Sequence, residues 1–184
     1  MTKTKSLCIC AICITLCCVL PLAFHSLVLG SALSPLHIPV LLCGLLCGWP
    51  YGLACGIAGP LLSSVISGMP PAAMLIPMVP ELCTYGVVSA LLFRFVRTGR
   101  AGADLYLSLL PAMLLGRVVG GAVQAVYYLS AAKTYSVALW ASSYLLGTLP
   151  GAVLHLILIP ALVLVLTKAR LIPARYGAGG AHHV

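Results

Sequence analysis

Acidic residues are nearly absent from this chain of 184 residues: Glu81 and Asp104 are the only carboxylate side chains, and charged residues of both signs make up 7% of the sequence. A soluble domain carries about 25% charged residues, so an ordinary water-facing surface is excluded. The shortage also removes the carboxylate pairs that most hydrolases and transferases use, and no GxxxxGK[ST] phosphate loop is present to bind ATP. Positions 6–80 hold no Asp, Glu, Lys or Arg at all. What fills the chain instead is apolar: 62% hydrophobic residues and a mean hydropathy of +1.16. These values define an all-α integral membrane protein resident in a lipid bilayer. The formal charge of +8 does not imply nucleic acid, because the basic residues stand at the ends of apolar segments and not in a patch interleaved with aromatics.

A spanning helix needs about 20 residues, so the uncharged stretch must be divided. Breaker clusters divide it: GSALSP at 30–35, GWPYG at 48–52 and SGMPP at 67–71. Six transmembrane helices are expected, at about 7–29, 36–48, 51–67, 73–93, 105–129 and 139–167, in one transmembrane domain with a cytoplasmic tail at 168–184. The segment between Lys133 and Lys168 is too long for one crossing, which puts 134–138 in an outer loop. Lys3, Lys5, Arg94, Arg97, Arg100, Lys168, Arg170 and Arg175 then fall on one face and only Lys133 on the other. The bias places both termini of this multi-pass protein in the cytoplasm. A re-entrant pair at 37–68 gives the same charge distribution with four spans; length favours six. The even span count also argues that the N-terminal apolar run is retained and is not a cleaved signal peptide.

All the cysteines precede Thr84, and Cys10, Cys13 and Cys17 recur at helical spacing, as do Cys43 and Cys47. Without charged ligands beside them they read as small buried thiols rather than a metal site, and neither metal nor cofactor is expected. Gly52 and Gly56, Ala112, Gly116 and Gly120, and Gly147 and Gly151 mark helix contact faces. Ala11 and Thr15 offer a similar stripe to another membrane subunit.

Two charges stand inside spans. An ionisable group in hydrocarbon costs about 2.5–3.5 kcal/mol on insertion scales, so Glu81 and Arg117 face the protein interior and are candidates for function. Counted along their helices at about 1.5 Å per residue, they lie at matching depth and are expected to pair. Above Arg117 stand Gly120, Gly121, Gln124, Tyr127 and Tyr128, joined from the next helix by Trp140, Ser143 and Tyr144. Polar groups among aromatic walls on the outer half fit a small-molecule site; an interfacial aromatic belt is the competing account of Trp140 and Tyr135. His25, His37 and His155 have no carboxylate or second His at metal-ligand spacing; His25 and His37 flank the first outer loop, within reach of a ligand, but a hydrogen-bonded helix-end histidine is the commoner case.

The runs LHIPVLLCGLLCG, YGLACGIAGPLLSSVISGMPP, PMVPELCTYGVVSALLFR and LLGRVVGG, in that order across nearly the whole chain, resemble the substrate-binding S components of energy-coupling factor (ECF) vitamin transporters. The resemblance implies a six-helix subunit of an ABC importer that binds a vitamin or related micronutrient from outside and docks on a separate transmembrane coupling subunit driven by two cytosolic ATPases. It implies no enzymatic activity of its own. It maps the coupling contact onto Ala11 and Thr15, with Thr15 replacing the second Ala of the usual Ala-x-x-x-Ala. It implicates His37, Met69, Glu81, Arg117, Gln124 and Tyr144 in the substrate site, to which the aromatic cluster adds Tyr128 and Trp140. Arg117 suits a carboxylate, and pantothenate leads among the family's ligands. The alternative is a standalone ion-coupled secondary transporter of a small organic solute, although no internal repeat accompanies it.

Overall fold

The computed structural model describes residues 2–25, 34–130, 136, 140, 142, 148–169 and 172. They form six helices: α1 (Lys3–His25), α2 (His37–Cys47), α3 (Trp49–Ser67), α4 (Ala72–Phe95), α5 (Ala101–Ser130) and α6 (Leu149–Lys168). Five are long and apolar enough to cross a membrane, and α2 is a shorter apolar helix. The outward faces are what a bilayer requires: Val65 is 83% exposed, Phe95 74% and Leu129 70%, side chains that water would not tolerate in such number.

Gly and Pro set the boundaries. Gly48 adopts φ 94°, open to glycine at little cost, and Pro50 follows in the first turn of α3, where its missing N–H is not needed. Gly68 closes α3 at φ 70°, its N–H returning to the Ser64 carbonyl. At the opposite end of the bundle, the buried Asp104 carboxylate accepts the Thr98 N–H at 2.8 Å and the Thr98 hydroxyl at 2.6 Å, which fastens the α4–α5 turn. The last helix is described from Leu149 to Lys168, with Thr148 before it and Pro150 in its first turn, a position that proline suits. Of the expected outer part, only Trp140, Ser142 and Thr148 are described.

The bundle is arranged around α2. Helix α4 packs against α5, α3 and α2; α1 packs against α3 and α2; α6 touches α2 and α5. All residues of α2 from His37 to Leu45 are buried. Close approach on its α3 and α4 sides depends on three glycines: a Cβ on Gly44 would run into the Gly86 carbonyl oxygen, and one on Gly52 would stand 2.6 Å from the same atom. On the α1 side the fit is made by thiols, all unpaired by disulfide. Cys43 and Cys10 both donate to the Tyr51 carbonyl, at 3.4 and 3.7 Å, and Cys47 donates to the Ser6 carbonyl at 3.5 Å. Cysteine here acts as a small hydrophobe whose weak donor adds a bond to a carbonyl in the first turn of a neighbouring helix.

Candidate solute cavity

Helix α2 has 11 residues, about 16 Å at 1.5 Å per residue, roughly half of a hydrocarbon core of about 30 Å. Its C-terminal end sits beside the start of α1, where Cys47 meets Ser6. Its N-terminal end sits beside Glu81, nine positions into α4 and therefore about 14 Å from that helix's start. The central helix thus fills one half of the bundle and stops. The space it leaves in the other half is a cavity of about 320 Å³, lined by Ser34, His37, Met74, Pro77, Met78, Glu81, Arg117, Gln124, Thr148 and His155. It lies at the end away from Lys3, Lys5 and Arg94, since α1 and α4 carry those residues at their other ends.

The floor is a polar cluster held in a dry setting. Glu81 and Arg117 are each 8% exposed. The Tyr85 hydroxyl, one helical turn beyond Glu81, donates to Glu81 Oε1 at 2.7 Å, and His37 Nε2 lies 3.6 Å from the same oxygen. His37 Nδ1 donates to the Ser34 carbonyl at 3.1 Å, tying the floor to the segment that enters from α1. Its ring stands 5.1 Å from the Tyr85 ring and stacks on His155 at 5.5 Å and 18°. Arg117 reaches the Thr148 carbonyl at 3.5 Å and adjoins the Tyr85 hydroxyl. Glycines make room: a Cβ on Gly120 would be 2.9 Å from Glu81 Oε2, and one on Gly116 would overlap the Tyr85 ring.

The expected direct pair of Glu81 and Arg117 is not formed. Their depths do match, but Tyr85 is interposed and His37 occupies the carboxylate, so the two charges face the cavity from different partners. Of the other residues anticipated for the site, His37 and Gln124 line the cavity with them. Trp140 lies behind it, donating from Nε1 to the Arg117 carbonyl at 3.4 Å and packing over Gly121. Met69 and Tyr128 are not in the lining. The Met69 carbonyl accepts the Ser63 hydroxyl at 2.7 Å in the α3–α4 turn, and Tyr128 packs edge-on to Tyr127 at 6.3 Å. Tyr144 falls outside the described residues. Ala11 and Thr15 are exposed on α1, joined by a 3.0 Å bond from the Thr15 hydroxyl to the Ala11 carbonyl. Tyr85, His155, Met74, Pro77, Met78, Ser34 and Thr148 were not singled out as ligand-site residues from sequence. The four-residue interval from Glu81 to Tyr85 was the one available signal, and it was masked by the apolar run around it.

The described helices form a multi-pass bundle with a polar-floored cavity at one end. The chain belongs to the family of substrate-specific components of ECF transporters, whose model matches residues 5–167. Members are transport subunits, not enzymes, and act with a substrate and an energy-coupling module. No curated protein and no solved structure matches the chain.

Proposed function

We propose that this chain is the high-affinity capture subunit of an ECF-type ABC importer. It takes a vitamin or related micronutrient from the outer face of the cytoplasmic membrane of a bacterium and docks on a separate coupling subunit served by two cytosolic ATPases. The observation that carries the reading is the cavity above the N-terminal end of α2, at the end of the bundle away from the basic residues, with buried Arg117 in its wall. Basic residues mark the cytoplasmic side, so the cavity faces outward. His37, Glu81, Arg117 and Gln124 are the proposed substrate contacts. Exposed Ala11 and Thr15, small residues on the surface of α1, are the proposed contact with the coupling subunit, where close helix approach needs little side chain. Pantothenate is the lead ligand: its carboxylate suits Arg117, and its aliphatic body suits a wall of Met74, Pro77 and Met78.

The experiment is reconstitution. In liposomes, the purified chain alone should bind solute without accumulating it, and accumulation should require the coupling subunit, both ATPases and internal ATP. Accumulation by the chain alone under an ion gradient would overturn the reading in favour of a secondary transporter.

A further inference from the structure

The basic end of the bundle has a cleft of its own, and helix lengths create it. Gly44, Gly52 and Gly86 mark the level at which α2, α3 and α4 touch. From that level α2 ends three residues on at Cys47 and α3 begins three residues back at Trp49, about 4.5 Å in each case, whereas α4 continues nine residues to Phe95, about 13.5 Å. Helix α4 therefore overshoots the α2–α3 turn by about 9 Å. Along its flank lies a cleft of about 400 Å³, larger than the solute cavity at about 320 Å³. Gly44 and Ala90, small and buried, stand at its back; Leu46, Trp49 and Phe93 wall it; and Arg94 is the one charged residue in the lining.

We infer that this cleft binds one anionic phospholipid, its headgroup phosphate on Arg94 and an acyl chain along Leu46 and Phe93. The walls offer water few partners, whereas the tails of the surrounding bilayer can fill the space and recover the dispersion contacts that an empty cleft forfeits. A helix with its side chains is about 10–12 Å across, so the cleft would take about one turn, too little to seat a partner segment; an acyl chain is slender enough to lie along it. The charge balance selects the headgroup. Arg94 is exposed and makes no hydrogen bond or ion pair among the described residues. The two carboxylates of the chain are held elsewhere: Glu81 lies thirteen residues back along α4, and Asp104 is buried and accepts from Thr98. Lys3, Lys5, Arg97, Arg100 and Lys168 are exposed at the same end, with no exposed carboxylate among the described residues. A guanidinium at the rim of an apolar slot, within a positive field, favours a lipid of net negative charge over a zwitterionic one. Trp49, 45% exposed beside it, is the amphipathic ring suited to the level where tails meet headgroups.

The test is native mass spectrometry of the full chain, stripped of lipid in detergent and titrated with phosphatidylglycerol or with phosphatidylcholine of the same chain length. One phosphatidylglycerol should bind ahead of any phosphatidylcholine and raise the melting temperature. R94Q should lower its apparent affinity roughly tenfold, the loss of one charge-assisted contact, and R94K should keep part of it. R97Q and R100Q, exposed and outside the lining, should bind as the parent does. Ala90→Leu, which fills the back of the cleft and leaves Arg94 in place, should release the lipid as R94Q does. Because Arg94 is exposed, R94Q without added lipid should melt with the parent, so its lost binding is read on a folded chain. Equal binding of the two lipids, or equal losses in R94Q and R97Q, overturns the site in favour of diffuse surface charge. Displacement of the lipid by glycerol 3-phosphate would show that the cleft takes a free phosphate. Cleft variants that keep the lipid yet fail to assemble with the coupling subunit would assign it to that protein. Either result overturns the lipid site and leaves the capture reading intact.

Discussion

At the level of single side chains, the position of Tyr85 explains why Glu81 and Arg117, at matching depth on adjacent helices, do not meet. The hydroxyl fills the gap, donating to Glu81 at 2.7 Å and adjoining Arg117, so it links the two charges without neutralising either. Tyr85→Phe removes one hydrogen bond to a buried charged group, and a loss of about 1.5–3 kcal/mol in stability is expected. Equilibrium unfolding in detergent measures it; a Y85F variant as stable as the parent would show that the carboxylate finds another donor. A double-mutant cycle identifies the closer partner of Glu81. Glu81→Gln and His37→Gln should couple by about 0.5–3 kcal/mol, more strongly than Glu81→Gln and Arg117→Gln. The reverse ordering would restore a direct Glu81–Arg117 contact.

At the level of elements, the bundle depends on a helix that is too short to span it and on glycines that let its neighbours close around it. Gly86 is the sharpest instance: a Cβ there would stand 2.6 Å from the Gly52 carbonyl carbon and 3.0 Å from its Cα, atoms of a backbone that cannot rotate away. Gly86→Ala should therefore cost about 1–3 kcal/mol by overpacking. Gly102→Ala, where a Cβ meets nothing within 4 Å, is the control. It should be neutral or gain about 0.5–1 kcal/mol from the better helix former. Equal melting temperatures for the two variants in detergent would contradict the α2–α3–α4 packing. The positions of these turns were legible because Gly48, Pro50, Gly68 and Pro71 punctuate an otherwise uniform apolar run. Pro150 was less legible, since in an apolar background it reads equally as a helix start or as a tolerated proline within a span.

At the level of the whole molecule, the basic residues at the ends of α1, α4 and α6 are the basis of the proposed orientation, and the proposed outward opening of the cavity depends on it. Single cysteines placed at Lys3, Lys133 and Arg170 of a Cys-free variant check it in intact cells. Position 133 should react with an impermeant thiol reagent from outside, and the other two only after permeabilisation; external labelling at position 3 would reverse the orientation.

Composition and punctuation alone determined that this protein lives in a membrane, that it is helical, and that Glu81 and Arg117 are buried in its spans. Hydropathy is an average over side-chain transfer preferences along the chain, so it survives without coordinates. The sequence could not determine where α2 sits along the bundle, because an 11-residue apolar helix has the same hydropathy at any depth. Packing against Gly52, Gly86 and the α1 thiols holds it at one end, and that placement creates the cavity at the other. Nor could residue counting along α4 and α5 decide partners. Depth is set by rise per residue, but partnership is set by helix rotation and by what stands between, and tertiary structure put Tyr85 and His37 there.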